Sequence, residues 1–413
     1  MSGFTSLGIA PEFAKHLAPE FIEPTPIQTS VIPLILSGQD VIAQAATGSG
    51  KTAAFVLPLL QQLQQHSAGV KGNHIRALIL APTRELARQL STQCIQFANK
   101  QQSAMRVRLA HGGVSINPQM ISLRNGADIL VATPGRLLEL IECNAVKLGQ
   151  VKHLVLDEAD RLLNLGFSDE LNQLLASLPK QRQTQLFSAT FDDDIKHLAD
   201  AWLNQPKHIQ IESVLSQPKI EQRVYEVNRE QKSALLTHLL KSLELSSVLV
   251  FVNAKLSCDR LAQKLQKAGI DSLVFHGDKS QGKRHQALDD FMAGKIPVLI
   301  ATDIAARGLD IQHLPAVINF ELPRSPADYI HRIGRTGRAG EAGLAISLIC
   351  HDEYQHFGVI EKKHKLAVER LQLKGFTPKS LELYNQQAAE LPTEKVAPSS
   401  QKRKKKPKMR SGS

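Results

Sequence analysis

Short apolar runs alternate with segments of helical periodicity, and this alternation occurs twice along the 413-residue chain. The candidate strands of the first series lie at 41–43, 77–80, 129–131, 154–156 and 185–187. Those of the second lie at 248–252, 273–275, 298–301 and 317–320, and leucines recur at helical spacing between strands, as at 84–98, 168–178 and 254–268. Continuously apolar strands that alternate with helices form parallel sheets covered on both faces. The sequence therefore predicts two α/β domains.

The alternation stops in a polar, proline-containing stretch at 204–221, which is typical of a connector. We place the first domain at 1–212, a linker at 213–221, the second domain at 222–376 and a C-terminal extension at 377–413. From residue 392 the chain is rich in Pro, Ser and Lys, a composition that favours disorder.

The net charge is +11, and its distribution is uneven. Residues 402–413 contain seven basic residues and no acid, which leaves only +4 on the rest of the chain. A positive excess indicates a polyanionic partner such as nucleic acid or an acidic membrane surface. The basic cluster is interpreted as a tether for such a polyanion, although in a eukaryote it would also match a nuclear localisation signal.

Several classes of protein are not favoured. No apolar run approaches the ~18 residues that a membrane-spanning helix requires, and the first residues lack the pattern of a secretory signal. The four cysteines (Cys94, Cys143, Cys258 and Cys350) are far apart, which argues against a disulfide framework or a zinc site. This pattern indicates a reducing, intracellular compartment.

A glycine-rich segment at 45–52 follows a candidate strand and opens a helix, as a phosphate-binding loop does. Gly48 and Gly50 allow backbone N–H groups to face phosphate oxygens. Lys51 can reach the β- and γ-phosphates, and the Thr52 hydroxyl can bind Mg²⁺. An ordinary glycine-rich turn is the alternative interpretation.

Acidic residues follow the strand at 154–156, where ligands of α/β domains bind. Asp157 would hold Mg²⁺, partly through water, and Glu158 would polarise the attacking water. A helix start that favours acids is the alternative. The phosphate-loop pattern upstream favours the metal site.

The tetrapeptide from Asp157 to Asp160 spells DEAD, and the chain resembles the DEAD-box ATP-dependent RNA helicases from Phe4 to about residue 340. The resemblance implies two tandem RecA-like domains. The short basic tail resembles that of bacterial members, such as the RhlE-like group.

The resemblance implies a set of nucleotide-site residues. The segment at 24–28 resembles the adenine-reading Q motif, in which Gln28 would bind the adenine edge and an upstream aromatic would stack on its face. The implied nucleotide contacts are Phe4, Phe21, Gln28, Thr47, Gly48, Ser49, Gly50, Lys51, Thr52, Gly308 and Asp310. The implied catalytic residues are Lys51, Asp157, Glu158, His331, Arg335 and Arg338, of which the two arginines would reach the γ-phosphate from the second domain.

The resemblance also implies RNA contacts at Pro82, Thr83, Arg84, Gly113, Thr133, Arg136, Asn253, His276, Gly277, Gln281, Arg284 and Thr302. Ser188, Thr190 and Asp160 would couple the ATP site to RNA, with His331 near Asp160 or its network. Each residue taken alone also has an ordinary explanation: Arg84 and Arg136 as solvated helix-start arginines, and the histidines as satisfied structural side chains. The combination, in the family's order, favours function.

The implied activity is ATP hydrolysis, with Mg²⁺, coupled to local RNA unwinding or remodelling of RNA–protein complexes. The alternatives are an ATP-dependent RNA clamp or scaffold and, less favoured, a DNA helicase or translocase. The expected partner is RNA with little sequence specificity, in ribosomal or RNA-degradation complexes of the cytoplasm. A role in ribosome biogenesis and no membrane association are expected.

Overall fold

The computed structural model describes residues 3–15, 17, 23–45, 48–65, 69–100, 104–211, 220–243, 245–306, 314–337 and 343–378. These residues contain two seven-stranded sheets, whose strand pairs are parallel. Helices surround both sheets. The fold class predicted from the alternating pattern is therefore confirmed.

The first sheet and its helices are built from residues up to 210. The strands are β1 (Val41–Gln44), β2 (Ile75–Leu80), β3 (Val107–Ala110), β4 (Ala127–Ala132), β5 (His153–Leu156), β6 (Gln183–Ser188) and β7 (Lys207–Gln210). The helices are α1 (Pro11–Lys15), α2 (Pro26–Leu36), α3 (Lys51–Gln65), α4 (Arg84–Lys100), α5 (Ile116–Leu123), α6 (Pro134–Glu142), α7 (Ala159–Asn164), α8 (Ser168–Ser177) and α9 (Asp193–Trp202). A 3-10 helix at Thr5–Leu7 precedes them.

The second sheet begins at residue 220. Its strands are β8 (Ile220–Glu226), β9 (Val248–Val252), β10 (Ser272–Phe275), β11 (Val298–Thr302), β12 (Ala316–Asn319), β13 (Gly343–Ile349) and β14 (Arg370–Leu371). Its helices are α10 (Lys232–Ser242), α11 (Lys255–Lys267), α12 (Gln281–Met292), α13 (Asp303–Ala306), α14 (Pro326–Ile333) and α15 (Tyr354–His364), with 3-10 helices at Arg229–Gln231 and His351–Glu353.

The two sheets have the same topology. The strand order is β3-β4-β2-β5-β6-β1-β7 in the first and β10-β11-β9-β12-β13-β8-β14 in the second. Each strand of the second sheet thus takes the place of the strand seven positions earlier. The fold is a structural duplication, for which the sequence shows no short-period repeat.

Alternate residues of each central strand enter different cores. In β1, Val41 and Ala43 join the core formed with α2, α3 and α4, whereas Ile42 joins the core that includes Trp202 of α9. Because both faces are covered by apolar side chains, the strands read as continuous apolar runs.

One predicted connector contains strands. The stretch 204–221 includes β7, which pairs with β1 from Val41↔Lys207 to Gln44↔Gln210, and the first residues of β8. Three of the four β7 residues are exposed. Because this edge strand is mostly polar, its sequence does not indicate that its backbone pairs with β1. The domain and linker boundaries proposed from the sequence stay predictions.

None of the helices in the described ranges is long and apolar enough to cross a membrane. All four cysteines are described and carry free thiols; Cys94, Cys258 and Cys350 are buried, and Cys143 is exposed.

Candidate functional site

The glycine-rich loop lies between β1 and α3, at the carboxyl edge of the first sheet. Gly48 and Gly50 have φ values of 79° and 92°, in the left-handed region that favours glycine. Lys51 is the first residue of α3; it is buried, and its Nζ donates to the Ala45 carbonyl at 3.0 Å. The lysine therefore folds across the loop, beside a helix N-terminus that favours anions.

The side chain of Gln28 is hydrogen-bonded to this loop. Its Oε1 accepts from the Thr25 backbone N–H at 2.9 Å, and its Nε2 donates to the Gly50 carbonyl at 3.1 Å. A Cβ added at Gly50 would lie 2.6 Å from Nε2, so the contact requires glycine there. The Q-motif helix α2 and the phosphate loop are thus joined directly. The adenine contact of Gln28 stays a prediction.

Phe4 lies in the apolar core of the first domain. Its side chain is fully buried and belongs to the same core as Ile9, Phe13 and Ile27. The stacking of its ring on the nucleotide stays a prediction.

The two aspartates of the DEAD segment are buried at the end of β5. Burial raises the pKa of Asp157 to about 6, and the nearby Lys51 charge opposes this rise. Burial also raises the pKa of Asp160, an effect opposed chiefly by Arg161. Asp160 Oδ1 is buried without a hydrogen-bond partner in the described structure. Desolvated carboxylates with spare acceptor capacity suit a divalent cation.

Glu158 has a left-handed backbone. Its φ and ψ are 49° and 53°, and it forms the N-cap of α7. This conformation costs a residue with a Cβ about 1–2 kcal/mol. The turn directs the side chain differently from its buried neighbours: Glu158 is half-buried, whereas Asp157 and Asp160 are only 4% exposed.

The coupling residues lie on the adjacent strand. Ser188 ends β6 and is buried, and a hydrogen bond from its side chain to Asp160 lowers the pKa of that carboxyl. The Ser188 hydroxyl also accepts from the Thr190 backbone N–H at 3.3 Å. The structure thus brings these three predicted residues together beside the aspartates.

Arg84 and Gly113 form one unit on the expected RNA face of the first domain. Gly113 has a φ of 78°, and a Cβ there would lie 1.8 Å from Arg84 Nη1. The glycine is therefore needed so that the guanidinium can lie against the backbone. The nearby Arg136 donates from Nη2 to the Val114 carbonyl at 3.0 Å and pairs with Glu139, and its Nη1 is buried without a partner in the described structure.

Pro82 and Thr83 precede α4, and Thr133 precedes α6; all three are buried. Thr83 Oγ1 accepts from the Leu86 backbone N–H at 3.2 Å.

In the second domain, several residues predicted to contact RNA make hydrogen bonds to other residues of the protein. His276 is buried, its Nε2 lies 3.2 Å from Asp259 and its Nδ1 accepts from the Asp278 backbone N–H. Asn253 Nδ2 donates to the Leu322 carbonyl at 2.8 Å. Satisfied side chains have less capacity for a ligand. Their RNA role stays a prediction, as does that of Gly277 and of Thr302, the last residue of β11.

Arg284 lies against the other domain. It is buried in an ion pair with Glu85 of α4, and its guanidinium lies 4.8 Å from the centre of the Phe275 ring. Sequence reasoning assigned Arg284 to RNA and did not assign Glu85. The structure shows a contact between domains at this position, and the RNA contact of Arg284 stays a prediction.

Arg332 was missed by sequence reasoning, although it lies directly after His331. It is 1% exposed; Nε and Nη2 donate to the two oxygens of Asp303 at 2.6 and 2.7 Å. The remaining bonds go to Asn319 Oδ1, the Glu321 carbonyl and Asn253 Oδ1. Arg332 therefore anchors α14 to three strand ends.

His331 and Arg335 lie where the domains meet. Both line a cavity of about 20 Å³ together with Asp303 and Asp328 of the second domain and Arg161 of the first. Arg335 thus lies at the cleft, and its action on the γ-phosphate stays a prediction. The residues that fall outside the described ranges are Phe21, Thr47, Gly308, Asp310 and Arg338; the side chain of Gln281, the first residue of α12, is likewise not described.

Comparison with known proteins gives a consistent assignment. The DEAD/DEAH box helicase family model matches residues 25–198, and the helicase conserved C-terminal domain matches residues 230–340. The chain is 40% identical over 363 residues to the DEAD-box ATP-dependent RNA helicase CshA of Streptococcus pneumoniae, covering 88% of this chain and 67% of the relative. It is 40% identical over 374 residues to the ATP-dependent RNA helicase CshA of Listeria monocytogenes, covering 90% and 71%.

Solved structures agree with these relatives. Dbp5 of S. cerevisiae bound to RNA and ADP BeF3 has a TM-score of 0.79 at 31% identity, over 94% of this chain and 99% of that one. The DEAD-box helicase Mss116 bound to ssRNA and UDP-BeF has a TM-score of 0.78 at 30% identity, over 92% and 80%. From its sequence, fold and site, this chain belongs to the DEAD-box ATP-dependent RNA helicases.

Proposed function

We propose that this protein binds ATP and RNA together and couples ATP hydrolysis to local unwinding of RNA duplexes or remodelling of RNA–protein complexes. The observation that carries the proposal is the division of the site between two domains. Lys51 and Asp157 lie on the first domain, and Arg335 lies at the cleft on the second. Membership of the family supports this activity over a passive clamp or a DNA translocase.

Each half of the site supplies different chemistry. The loop N–H groups and Lys51 bind the phosphates, and Glu158, set apart by its left-handed backbone, orients the attacking water. Thr52 and Asp157 would hold a magnesium ion, partly through water, which neutralises phosphate charge when bound. Arg335, and Arg338 by the same resemblance, stabilise the charge that develops on the γ-phosphate.

This division makes domain closure part of catalysis. If RNA contacts both domains, RNA favours the closed arrangement in which Arg335 meets the phosphates, and RNA binding thereby stimulates hydrolysis. ATP strengthens RNA binding by the same coupling free energy. Contacts to phosphates and 2′-hydroxyls give little sequence specificity, so one enzyme serves many RNAs.

The proposal extends to the role of the protein in the cell. RNA within ribosomal or degradation complexes of the cytoplasm is the proposed substrate, and ribosome biogenesis is the proposed process. The basic residues at 402–413 would add non-specific affinity for the phosphate backbone.

The test is steady-state ATP hydrolysis with and without RNA, with DNA of the same sequence in parallel. RNA should raise the rate and DNA should not. Lys51→Ala should abolish hydrolysis, and Glu158→Gln should slow it while sparing RNA binding. A rate that DNA raises equally, or full activity in Lys51→Ala, contradicts the proposal.

The cross-cleft role of Arg335 has a sharper test. Arg335→Ala should lower the RNA-stimulated rate at least about a hundredfold and leave nucleotide affinity within about threefold. Arg324→Ala, an exposed arginine of the same domain, is the matched control and should change neither quantity. An equal loss of rate and affinity in Arg335→Ala would show that the residue only helps to bind ATP.

A further inference from the structure

Two ion pairs join the domains within the described parts of the chain. One is Arg284–Glu85. The other joins Arg161, directly after the DEAD segment, to Asp328 of α14, 167 residues away in sequence. In the second pair the side chains of Arg161 and Asp328 are only 5% and 13% exposed. The Arg161–Asp328 pair is therefore a partly buried contact beside the proposed ATP site.

Little open space adjoins this pair. The adjoining cavity has a volume of about 20 Å³, and a single water needs about 10–15 Å³ of such space. The charges around the cavity are Arg161, Asp328, Asp303, Arg332 and Arg335, with His331 among them. Asp303 is already bound by both Nε and Nη2 of Arg332. Of the two carboxylates that line this cavity, Asp328 is therefore the one that pairs with Arg161.

Both partners lie on short helices that begin or end beside proposed catalytic residues: α7 follows Glu158, and α14 carries His331 and ends two residues before Arg335. Arg161 is the third residue of α7, one residue beyond Asp160, and its charge opposes the rise in that carboxyl's pKa. Asp328 lies in the first turn of α14, where a negative charge is favoured by the helix dipole. His331 lies one turn further along α14, about 4.5 Å along the axis. The pair thus fixes α14 relative to the DEAD segment.

We propose that the Arg161–Asp328 ion pair is a latch of the closed arrangement, in which both are positioning residues that set α14, and with it His331 and Arg335, against the ATP site. The inference rests on the proposed function and adds two residues to it. When the domains separate, both side chains become hydrated and the pair is lost. The latch therefore contributes to the closed arrangement alone.

Removing one side chain of the pair should destabilise the closed arrangement more than replacing both side chains with apolar ones. Without Asp328, the largely buried Arg161 guanidinium loses its carboxylate partner and lies near Arg332 and Arg335. Without Arg161, the largely buried Asp328 carboxylate loses the guanidinium that pairs with it. Breaking one side of a buried pair leaves an uncompensated charge, whereas replacing both sides with apolar groups costs much less.

The experiment is a double-mutant cycle on the full chain, with kcat and the RNA concentration at half-maximal stimulation as readouts. Arg161→Met and Asp328→Leu should each raise that RNA concentration about tenfold, and the double variant should be no worse than either single variant. Arg161→Lys should retain activity within about threefold. ADP affinity without RNA should be unchanged in all variants, because the pair is absent from the open arrangement.

Domain closure is measured separately by energy transfer between dyes at Cys143 and at Met292→Cys, both exposed and in different domains. With RNA and ADP–beryllium fluoride, Arg161→Met should reduce the closed fraction. The matched control is Arg76→Met, which breaks the Arg76–Asp128 pair within the first domain (both 13% exposed) and should leave closure unchanged.

Multiplicative losses in the double variant, or an unchanged closed fraction in Arg161→Met, would overturn the latch. If the wild type showed no RNA-stimulated hydrolysis, the proposed function would fail instead. The effect of Arg161→Met on interdomain distance would then decide the latch alone.

Discussion

Replacing Arg332 with lysine should destabilise the second domain selectively. Arg332 is 1% exposed and makes five hydrogen bonds: two to Asp303 and one each to Asn319, Asn253 and the Glu321 carbonyl. Its guanidinium also lies 4.9 Å from the centre of the Phe251 ring. A lysine ammonium offers three donors at one point, so it cannot span these acceptors.

The magnitude follows from the bonds that lysine cannot make. At least two of the five are lost, and hydrogen bonds that involve charged groups contribute about 1.5–3 kcal/mol each. Arg332→Lys should therefore lower the free energy of unfolding of the second domain by about 3–6 kcal/mol. With a denaturant slope of about 2 kcal/mol per molar urea, the midpoint falls by roughly 1.5–3 M.

The two domains can be followed separately because the sequence contains a single tryptophan. Trp202 lies in α9 of the first domain, where it is buried. Its fluorescence reports unfolding of the first domain, whereas far-UV circular dichroism reports both. In Arg332→Lys the dichroism should show an early transition that Trp202 fluorescence does not follow.

The matched control is Arg223→Lys, which alters an exposed ion pair with Glu221 in the same domain (31% and 56% exposed). Its cost should be below about 1 kcal/mol. A loss below about 1 kcal/mol in Arg332→Lys, or an equal shift of both signals, would refute the reasoning from buried bonds.

Four further outcomes are expected. Glu158→Gly should be about 0.5–1 kcal/mol more stable than Glu158→Ala in urea titrations, since glycine relieves the left-handed backbone; equal stability would contradict this. Gly113→Ala should weaken RNA binding in a filter assay, because its Cβ displaces Arg84; unchanged affinity would show that Arg84 is not a contact. Under native conditions a maleimide should modify Cys143 alone among the four thiols, since burial raises the pKa of the other three to about 12; labelling of two or more by mass spectrometry would disagree. Removing 402–413 should flatten the salt dependence of RNA binding and spare RNA-free hydrolysis; an unchanged slope would exclude the tail.

Most of the fold was accessible from the sequence because both faces of each sheet are covered. Continuous apolar strands such as β9 and β11 stand out from their amphipathic neighbours. The edge strand β7 was missed because its side chains face solvent and only its backbone pairs with β1. The identical strand order of the two sheets was also missed. Strand order is set by backbone pairing between distant segments, and the two halves can share it without sharing residues.

The site was predicted as a set of segments rather than as contacts. The positions of Lys51, Asp157 and Ser188 follow from strands that end at one edge of a sheet. The burial of Phe4 could not be predicted, because a core ring and a ring that stacks on a ligand use the same residue type. Arg332 gave no signal of its own, since a run of basic residues around His331 is equally typical of a solvated surface.

By itself, the sequence determined that two parallel α/β units carry a phosphate loop, a paired-aspartate segment and distant arginines, because apolar periodicity and local turn chemistry are encoded within a few residues. Only the tertiary structure decided which charges meet. Arg161 and Asp328 are 167 residues apart, and Glu85 and Arg284 lie on helices of different domains. Such pairs depend on how two separately folded sheets are oriented, and no local pattern of residues specifies that orientation.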